Sequence, residues 1–287
     1  MAESIQRGTL YLVGTPIGHL GDLSPRAVAV LREVDRIAAE DTRHTRRLLE
    51  AHAITTPVVS HHAHNERASS AGLVACLEAG EAIALVTDAG MPGISDPGEA
   101  LVRAASAAGI PVVPIPGPTA FVAALVVSGL PTERFTFEGF LPREPKLRRR
   151  RLQALAHEPR TMVFYEAPHR LLEGLADMAA AFGDDRPASV ARELTKRFEE
   201  VRRGSLATLR AGYAGEAPRG EFVVVVGGAP EAGDRPDEGR WRAELAAALA
   251  AGARPSAAAR EIAARAGVPR SRVYEEAMRL KASAPET

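Results

Sequence analysis

Short apolar runs alternate with amphipathic stretches through the first 118 residues. The runs are "TLYLV" (9–13), "RIAAE" (36–40), "PVVS" (57–60), "AIALV" (82–86) and "PVVPI" (111–115). Each is short, nearly all apolar and bounded by turn residues, which predicts strands buried on both faces. Between them, apolar residues recur at helical spacing over 25–34, 42–50, 65–80 and 97–108. Ser24 before Pro25 predicts a capped helix start with proline at the first helical position, and Asn65 is placed to cap the third helix. Strand and helix in alternation predict βαβ units around a mostly parallel sheet.

After a helix at 119–128 the pattern changes. "RFTFEGFLP" (134–142) alternates and is aromatic. "EPKLRRRRLQALAHE" (144–158) reads as a basic helix, "TMVFYEAP" (161–168) as a strand, and "PHRLLEGLADMAAAFG" (168–183) as an amphipathic helix closed by Gly183. "ASVARELTKRFEEVRRGSLATL" (188–209) reads as a strand, a charged segment and a helix capped by Ser205; "EFVVVVGG" (221–228) is the last strand. The expected organisation is an α/β domain over 1–118 and a second, with mixed strand directions, over 119–228. A Pro/Gly-rich linker at 229–240 and a helical extension at 241–287 follow. In that extension, "RPSAAAREIAARAGVPRSRVYEEAMRL" (254–280) resembles a helix-turn-helix, with Ser256 and Ser271 as N-caps and Arg270 and Arg272 open to phosphate. A small packing module fits the same residues.

Composition narrows the classes. With 287 residues and 46% hydrophobic content, about two domains and an extension are expected. The 36 basic residues balance the 36 acidic ones, so any nucleic-acid contact must come from a local patch. A single cysteine, Cys76, excludes a disulfide framework and a multi-cysteine zinc site. The start of the chain has no apolar signal core and no apolar run is long enough to span a bilayer, so a cytoplasmic protein without a membrane partner is expected. The "HHAH" cluster (61–64) is too tightly spaced for the usual metal pair, and no metal is expected.

Three Gly/Pro-rich loops follow apolar strands: "GTPIGHLGD" (14–22), "TDAGMPGISDPG" (87–98) and "PGPTA" (116–120). Ligands of open parallel sheets sit at the carboxyl ends of strands, where such loops gather. Glycine permits close backbone approach, and proline lowers the cost of order. None of the loops is a phosphate-binding or dinucleotide fingerprint. They offer Asp22, Asp88 and Asp96 with Thr15, Thr87 and Ser95, and no Lys or Arg. That set suits ribose hydroxyls and a cationic centre better than a phosphate.

Residues 10–49, 84–98 ("ALVTDAGMPGISDPG"), 111–130 ("PVVPIPGPTAFVAALVVSGL") and 164–171 ("FYEAPHRL") resemble the tetrapyrrole methylase superfamily. Within it they are most similar to the ribosomal branch, the 16S rRNA cytidine 2′-O-methyltransferases. The resemblance runs from about residue 8 to about 228, and the C-terminal end resembles the branch's small helical extension. It implies two α/β domains with S-adenosylmethionine (AdoMet) in the cleft between them, and a homodimer. By position, it places the cofactor against Thr15, Pro16, Ile17 and Gly18, against Thr87, Asp88, Ala89, Gly90 and Pro92, and against Pro116, Gly117, Pro118, Thr119 and Ala120.

A ribose 2′-hydroxyl needs a base, or a cation to steady the alkoxide. Charged segments directly after strands supply candidates. Glu166, Arg192, Glu193 and Lys196 are the expected catalytic set. Asp41, Arg43, His44, His169 and Arg170, with Arg148, Arg149, Arg150 and Arg151 of the basic helix, are expected to face the acceptor. The expected partner is 16S rRNA in the small ribosomal subunit, not DNA. Two other readings remain open: a tetrapyrrole acceptor for the same chemistry, and a nucleic-acid-binding protein without catalysis.

Overall fold

A computed structural model describes residues 5–63, 66–215, 217–230, 238–266 and 268–282. The chain forms two compact units, Met1–Gly227 and Gly228–Thr287.

The first unit holds two five-stranded sheets. In the first, β1 (Leu10–Val13), β2 (Arg36–Ala39), β3 (Val58–Ser60), β4 (Ile83–Val86) and β5 (Val112–Ile115) lie in the order β3-β2-β4-β1-β5, every pair parallel. Alternate residues feed opposite cores, which is why the runs are apolar throughout. Val13, Ile37 and Val86 pack with Val30 and Leu31 of α1 (Pro25–Glu33) and Leu48 of α2 (Thr42–Ala51). Leu10, Ile83 and Leu85 pack with Leu73 and Leu77 of α3 (Glu66–Glu78) and Leu101 of α4 (Glu99–Ala107). Ser24 caps α1 by accepting the Ala27 N–H at 3.1 Å, as its position before Pro25 predicts. Asn65 lies outside the described residues.

The second sheet comprises β6 (Phe135–Phe140), β7 (Thr161–Glu166), β8 (Pro187–Arg192), β9 (Glu200–Ser205) and β10 (Phe222–Val226), in the order β6-β7-β10-β8-β9. Only β6 and β7 run parallel; the other pairs are antiparallel. Helix α5 (Ala120–Val127) covers one face through Ala124 and Leu125 against Val163, Ala191 and Val225. On the other face, α6 (Pro145–Ala154), α7 (Leu171–Phe182) and α8 (Leu206–Tyr213) pack on Met162, Phe164, Val190 and Val224.

Three local expectations are corrected. The charged segment before Ser205 contains β9, an edge strand whose polar sequence "EVRRGS" gives no apolar signal. The stretch from 168 opens with a single 3-10 turn, Pro168–Arg170, and the helix proper starts at Leu171. In the second unit, α9 (Glu238–Ala250), α10 (Pro255–Ala266) and α11 (Arg270–Ala282) surround Trp241, Leu245, Ile262 and Val273. Helix α9 starts inside the expected linker. Ser256 and Ser271 lie within the first turns, and the carbonyls of Arg254 and Pro269 open the two helices by accepting from Ala258 and Val273.

Candidate active site

The loops after β1 and β4 are tied together, because their strands are neighbours. Thr15 N–H donates to the Gly90 carbonyl at 2.9 Å, and Gly90 N–H returns to Thr15 at 3.1 Å. The Thr15 hydroxyl donates to the Thr87 carbonyl at 3.0 Å. The third loop joins through a glycine contact: a Cβ on Gly14 would lie 2.7 Å from Gly117 Cα, so neither position admits a side chain without a backbone shift. Gly90 takes φ +87°, a conformation costly for other residues. Three loops are thereby braced into one wall.

The opposite wall comes from the second sheet. A Cβ on Gly18 would lie 2.5 Å from Lys196 Cγ, so the first loop abuts the 193–199 loop between β8 and β9. Ile17 and Leu194 join one apolar cluster with Val163 and Val223. Between the walls lies a cavity of about 310 Å³ lined by Ile17, Ala89, Gly90, Thr119 and Ala120 on one side and Tyr165, Glu166 and Leu194 on the other. A second cavity of about 550 Å³ shares Ile17 and Ala89 and reaches Pro16, Gly18, His44, Arg47, Asp88 and Lys196.

The charge pattern is acidic at the first wall. Burial, with Glu40 and Asp88 nearby, pushes the Asp96 carboxyl up to about 7. Burial and Asp88 also raise Glu40. Among the described residues, no Lys or Arg lines the smaller cavity. Across it, Glu166 is buried; its Oε1 accepts the Ala167 N–H at 2.9 Å and lies 3.5 Å from Arg170 Nε. Glu166 Oε2 is buried without a hydrogen-bond partner, and burial raises this carboxyl. The Thr87 hydroxyl is likewise buried and unpartnered.

Lys196 is held by two carboxylates, with Nζ 3.0 Å from Glu193 Oε1 and 2.8 Å from Glu221 Oε2. Burial works against its charge, but Glu221 and Glu193 outweigh it and hold the amine protonated beyond its ordinary range. Burial likewise opposes the Glu193 charge, and the Glu221 N–H and Lys196 overcome it, keeping that carboxyl below its usual value. The loop is tight: Glu193 and Thr195 both have positive φ.

Of the expected cofactor residues, Ile17, Ala89, Gly90, Thr119 and Ala120 line the smaller cavity, and Pro16, Gly18 and Asp88 line the larger. Thr15, Thr87, Pro92, Pro116, Gly117 and Pro118 line neither and form the frame behind them. Of the expected catalytic set, Glu166 borders the smaller cavity with its carboxylate turned to Gly174 of α7, and Lys196 lines the larger. Glu193 clamps Lys196, and Arg192 Nε donates to the Arg219 carbonyl at 2.7 Å.

Several expected acceptor-facing residues have structural work instead. Arg148 is buried, with Nε 2.7 Å from Asp177 and a second contact to Glu173 at 3.3 Å, so it is closed to an acceptor. Arg151 pairs with Glu138 at 2.5 Å and Arg149 with Asp177 at 3.4 Å, both remaining largely exposed. Asp41 caps α2, accepting from Arg43 N at 2.8 Å and His44 N at 3.4 Å. Arg170 donates to the carbonyls of Leu141 and Pro142. His44 lines the larger cavity, while Arg43, Arg150 and His169 are exposed. Arg272 pairs with Glu238 within the second unit. Cavity residues not anticipated include Ile94, Leu194, Phe140, Tyr165 and Glu221. Ile94, Tyr165 and Glu221 lie within segments already singled out; Phe140 sits at the end of a strand and carries no sequence signature.

Two α/β sheets facing across a cavity, with an acid-lined, base-free loop wall on one side, define a ligand-binding enzyme fold of the methylase class. The chain belongs to the tetrapyrrole (corrin/porphyrin) methylase family, whose profile matches residues 9–210. It is 51% identical over 278 residues to "Ribosomal RNA small subunit methyltransferase I" of Synechocystis sp., covering 96% of this chain and 99% of that one. It is 54% identical over 270 residues to the Xylella fastidiosa protein of the same name, covering 93% and 98%. Among solved structures, uroporphyrin-III C-methyltransferase from Thermus thermophilus superposes with a TM-score of 0.54 at 27% identity, over 77% of this chain and 94% of that one.

Proposed function

We propose that this chain is an AdoMet-dependent methyltransferase acting on the 2′-hydroxyl of a cytidine in the decoding region of 16S rRNA, in the cytoplasm. One observation supports the cofactor: among the described residues no Lys or Arg lines the smaller cavity, while Asp96 does. A cation with hydroxyl groups satisfies such a wall; a phosphate does not. Relatives named for ribosomal RNA at about half identity over nearly the whole chain support the acceptor. The likeness to a tetrapyrrole enzyme is much weaker in sequence.

In this reading residues 1–118 bind the cofactor, and 119–228 complete the cleft and form the acceptor side. AdoMet supplies a methyl group already activated as a sulfonium. Ile17, Ala89, Gly90, Thr119 and Ala120 would hold it, with Asp88 and Asp96 as its counter-charge. The N-terminus of α5, where Thr119 makes no side-chain cap, offers free N–H groups to its carboxylate. The 2′-hydroxyl needs a base for its proton or a cation for its oxygen; Glu166 is not that base, because its carboxylate packs against Gly174 of α7 and beside Arg170. Lys196, kept protonated, cannot serve as that base; it donates to the acceptor's phosphate or the developing alkoxide. Exposed Arg149, Arg150 and Lys146, which line a basic hollow on α6, track the RNA backbone. The chain acts as a homodimer, joined through the apolar surface of α5.

The test is transfer of labelled methyl from AdoMet to small ribosomal subunits purified from cells lacking this protein. Label in 16S rRNA supports the reading. Label only on a tetrapyrrole acceptor, or none, overturns it.

A further inference from the structure

The register of β6 against β7 carries an irregularity that decides where one aromatic ring points. Phe137 pairs with Val163, but the next paired residue is Gly139, opposite Phe164, and Phe140 pairs with Tyr165. Glu138 is thus the extra residue of a bulge, and Gly139 adopts φ +62°. In a regular strand Phe137 and Phe140 point to opposite faces. The added residue reverses that parity, so Phe140 shares the face of Phe137 and Tyr165. Glu138 goes to the other face, where it meets Arg151 of α6 at 2.5 Å.

The consequence is a chain of rings ending in the cavity. Phe121 stacks on Phe137 at 4.5 Å between centroids; Phe137 meets Tyr165 edge-on at 5.0 Å; Tyr165 meets Phe140 at 5.4 Å. Phe140 is the exposed terminus, 54% accessible, although it lines the cavity with Glu166 and Asp96. Ile94, 37% accessible, lines the same cavity from the first sheet's loop. A half-open ring backed by packed aromatics stays in place at little entropic cost when a flat ligand stacks on it. Its exposure leaves the ring within reach of a macromolecule.

We propose that Phe140 is the platform on which the base of the acceptor nucleotide stacks, with Ile94 lining the same cavity. This rests on the RNA reading above. A nucleotide drawn out of its stack exposes a base face, and aromatic stacking is the usual means of holding it.

The experiment compares wild type with Phe140→Ala, Phe140→Leu and Phe140→Trp. It measures KM and kcat for unmodified small subunits, and AdoMet affinity by calorimetry. KM for the subunit should rise about tenfold or more in the Ala and Leu variants and stay near wild type in the Trp variant. AdoMet affinity should hold within about twofold in all three, which also reports an intact fold. Unchanged KM in Phe140→Ala, or equal recovery by Leu and Trp, would refute the platform while leaving the functional reading standing. Weakened AdoMet binding in Phe140→Ala would assign the ring to the cofactor and refute it likewise. A wild-type protein that methylates no RNA removes both.

Discussion

Asp96 follows Ser95, which sits at φ +62°, and the carboxylate faces Glu40 and Asp88 with no basic group lining its cavity. In the free protein its carboxyl keeps a proton up to about pH 7. The folded state therefore binds more protons than the unfolded chain between the ordinary value of 3.8 and about 7, and stability falls as pH rises through that window. A sulfonium reverses the balance by pairing with the ionised form. AdoMet affinity should accordingly strengthen severalfold between about pH 6 and about pH 8, while S-adenosylhomocysteine, which has no sulfonium charge, shows little change. Calorimetry on wild type and Asp96→Asn decides it: the variant should lose the pH slope for AdoMet, and an unaltered slope would remove Asp96 from the site. The loop holding Asp96 was legible from its glycines and prolines, but the crowding of Asp96 by Glu40 was not, because β2 and β4 become neighbours only in the sheet.

The basic helix α6 divides into two roles along its own length. Arg148 lies four residues before buried Leu152, so both share the inward face, and the guanidinium is committed to Asp177 and Glu173. Replacing Lys146, Arg149 and Arg150 by serine should weaken RNA binding and flatten its salt dependence, with the melting temperature nearly unchanged. Arg148→Ala should instead cost about 3 kcal/mol of stability, read by denaturant unfolding, because it strips a buried ion pair. The reverse pattern would reassign the helix. The Arg148–Leu152 spacing was present in the sequence, but a run of four arginines hides which one faces the core. The strands β1, β2, β4, β7 and β10 were legible because burial on both faces makes them apolar throughout. Strand β9 was not: an edge strand of charged residues carries no such pattern, and the bulge at Glu138 leaves no trace beyond a glycine.

At the scale of the molecule, the proposed function divides the work between the two sheets of the first unit, one bracing loops around the cofactor and the other bringing Lys196 and Phe140 to the opposite side. Helix α5 joins them, and its outer face leaves Val122, Val126 and Val127 at 44%, 64% and 37% exposure. An apolar stripe of that kind is suited to a second copy. Val126→Asp should convert a dimer to a monomer in light scattering; a wild-type monomer would contradict that interface. The family resemblance reached this level from sequence, since its motifs mark the loops, yet the second wall depends on contacts between distant segments such as Gly18 and Lys196. Ribose methylation of ribosomal RNA has a direct chemical test. Small subunits labelled from AdoMet are stripped to 16S rRNA and hydrolysed in alkali, which cleaves next to free 2′-hydroxyls only. Methylation at a cytidine 2′-oxygen places the label in an alkali-resistant dinucleotide that begins with cytidine. Label released as mononucleotides would mean base methylation, and an absence of label from RNA would mean another acceptor; either contradicts it.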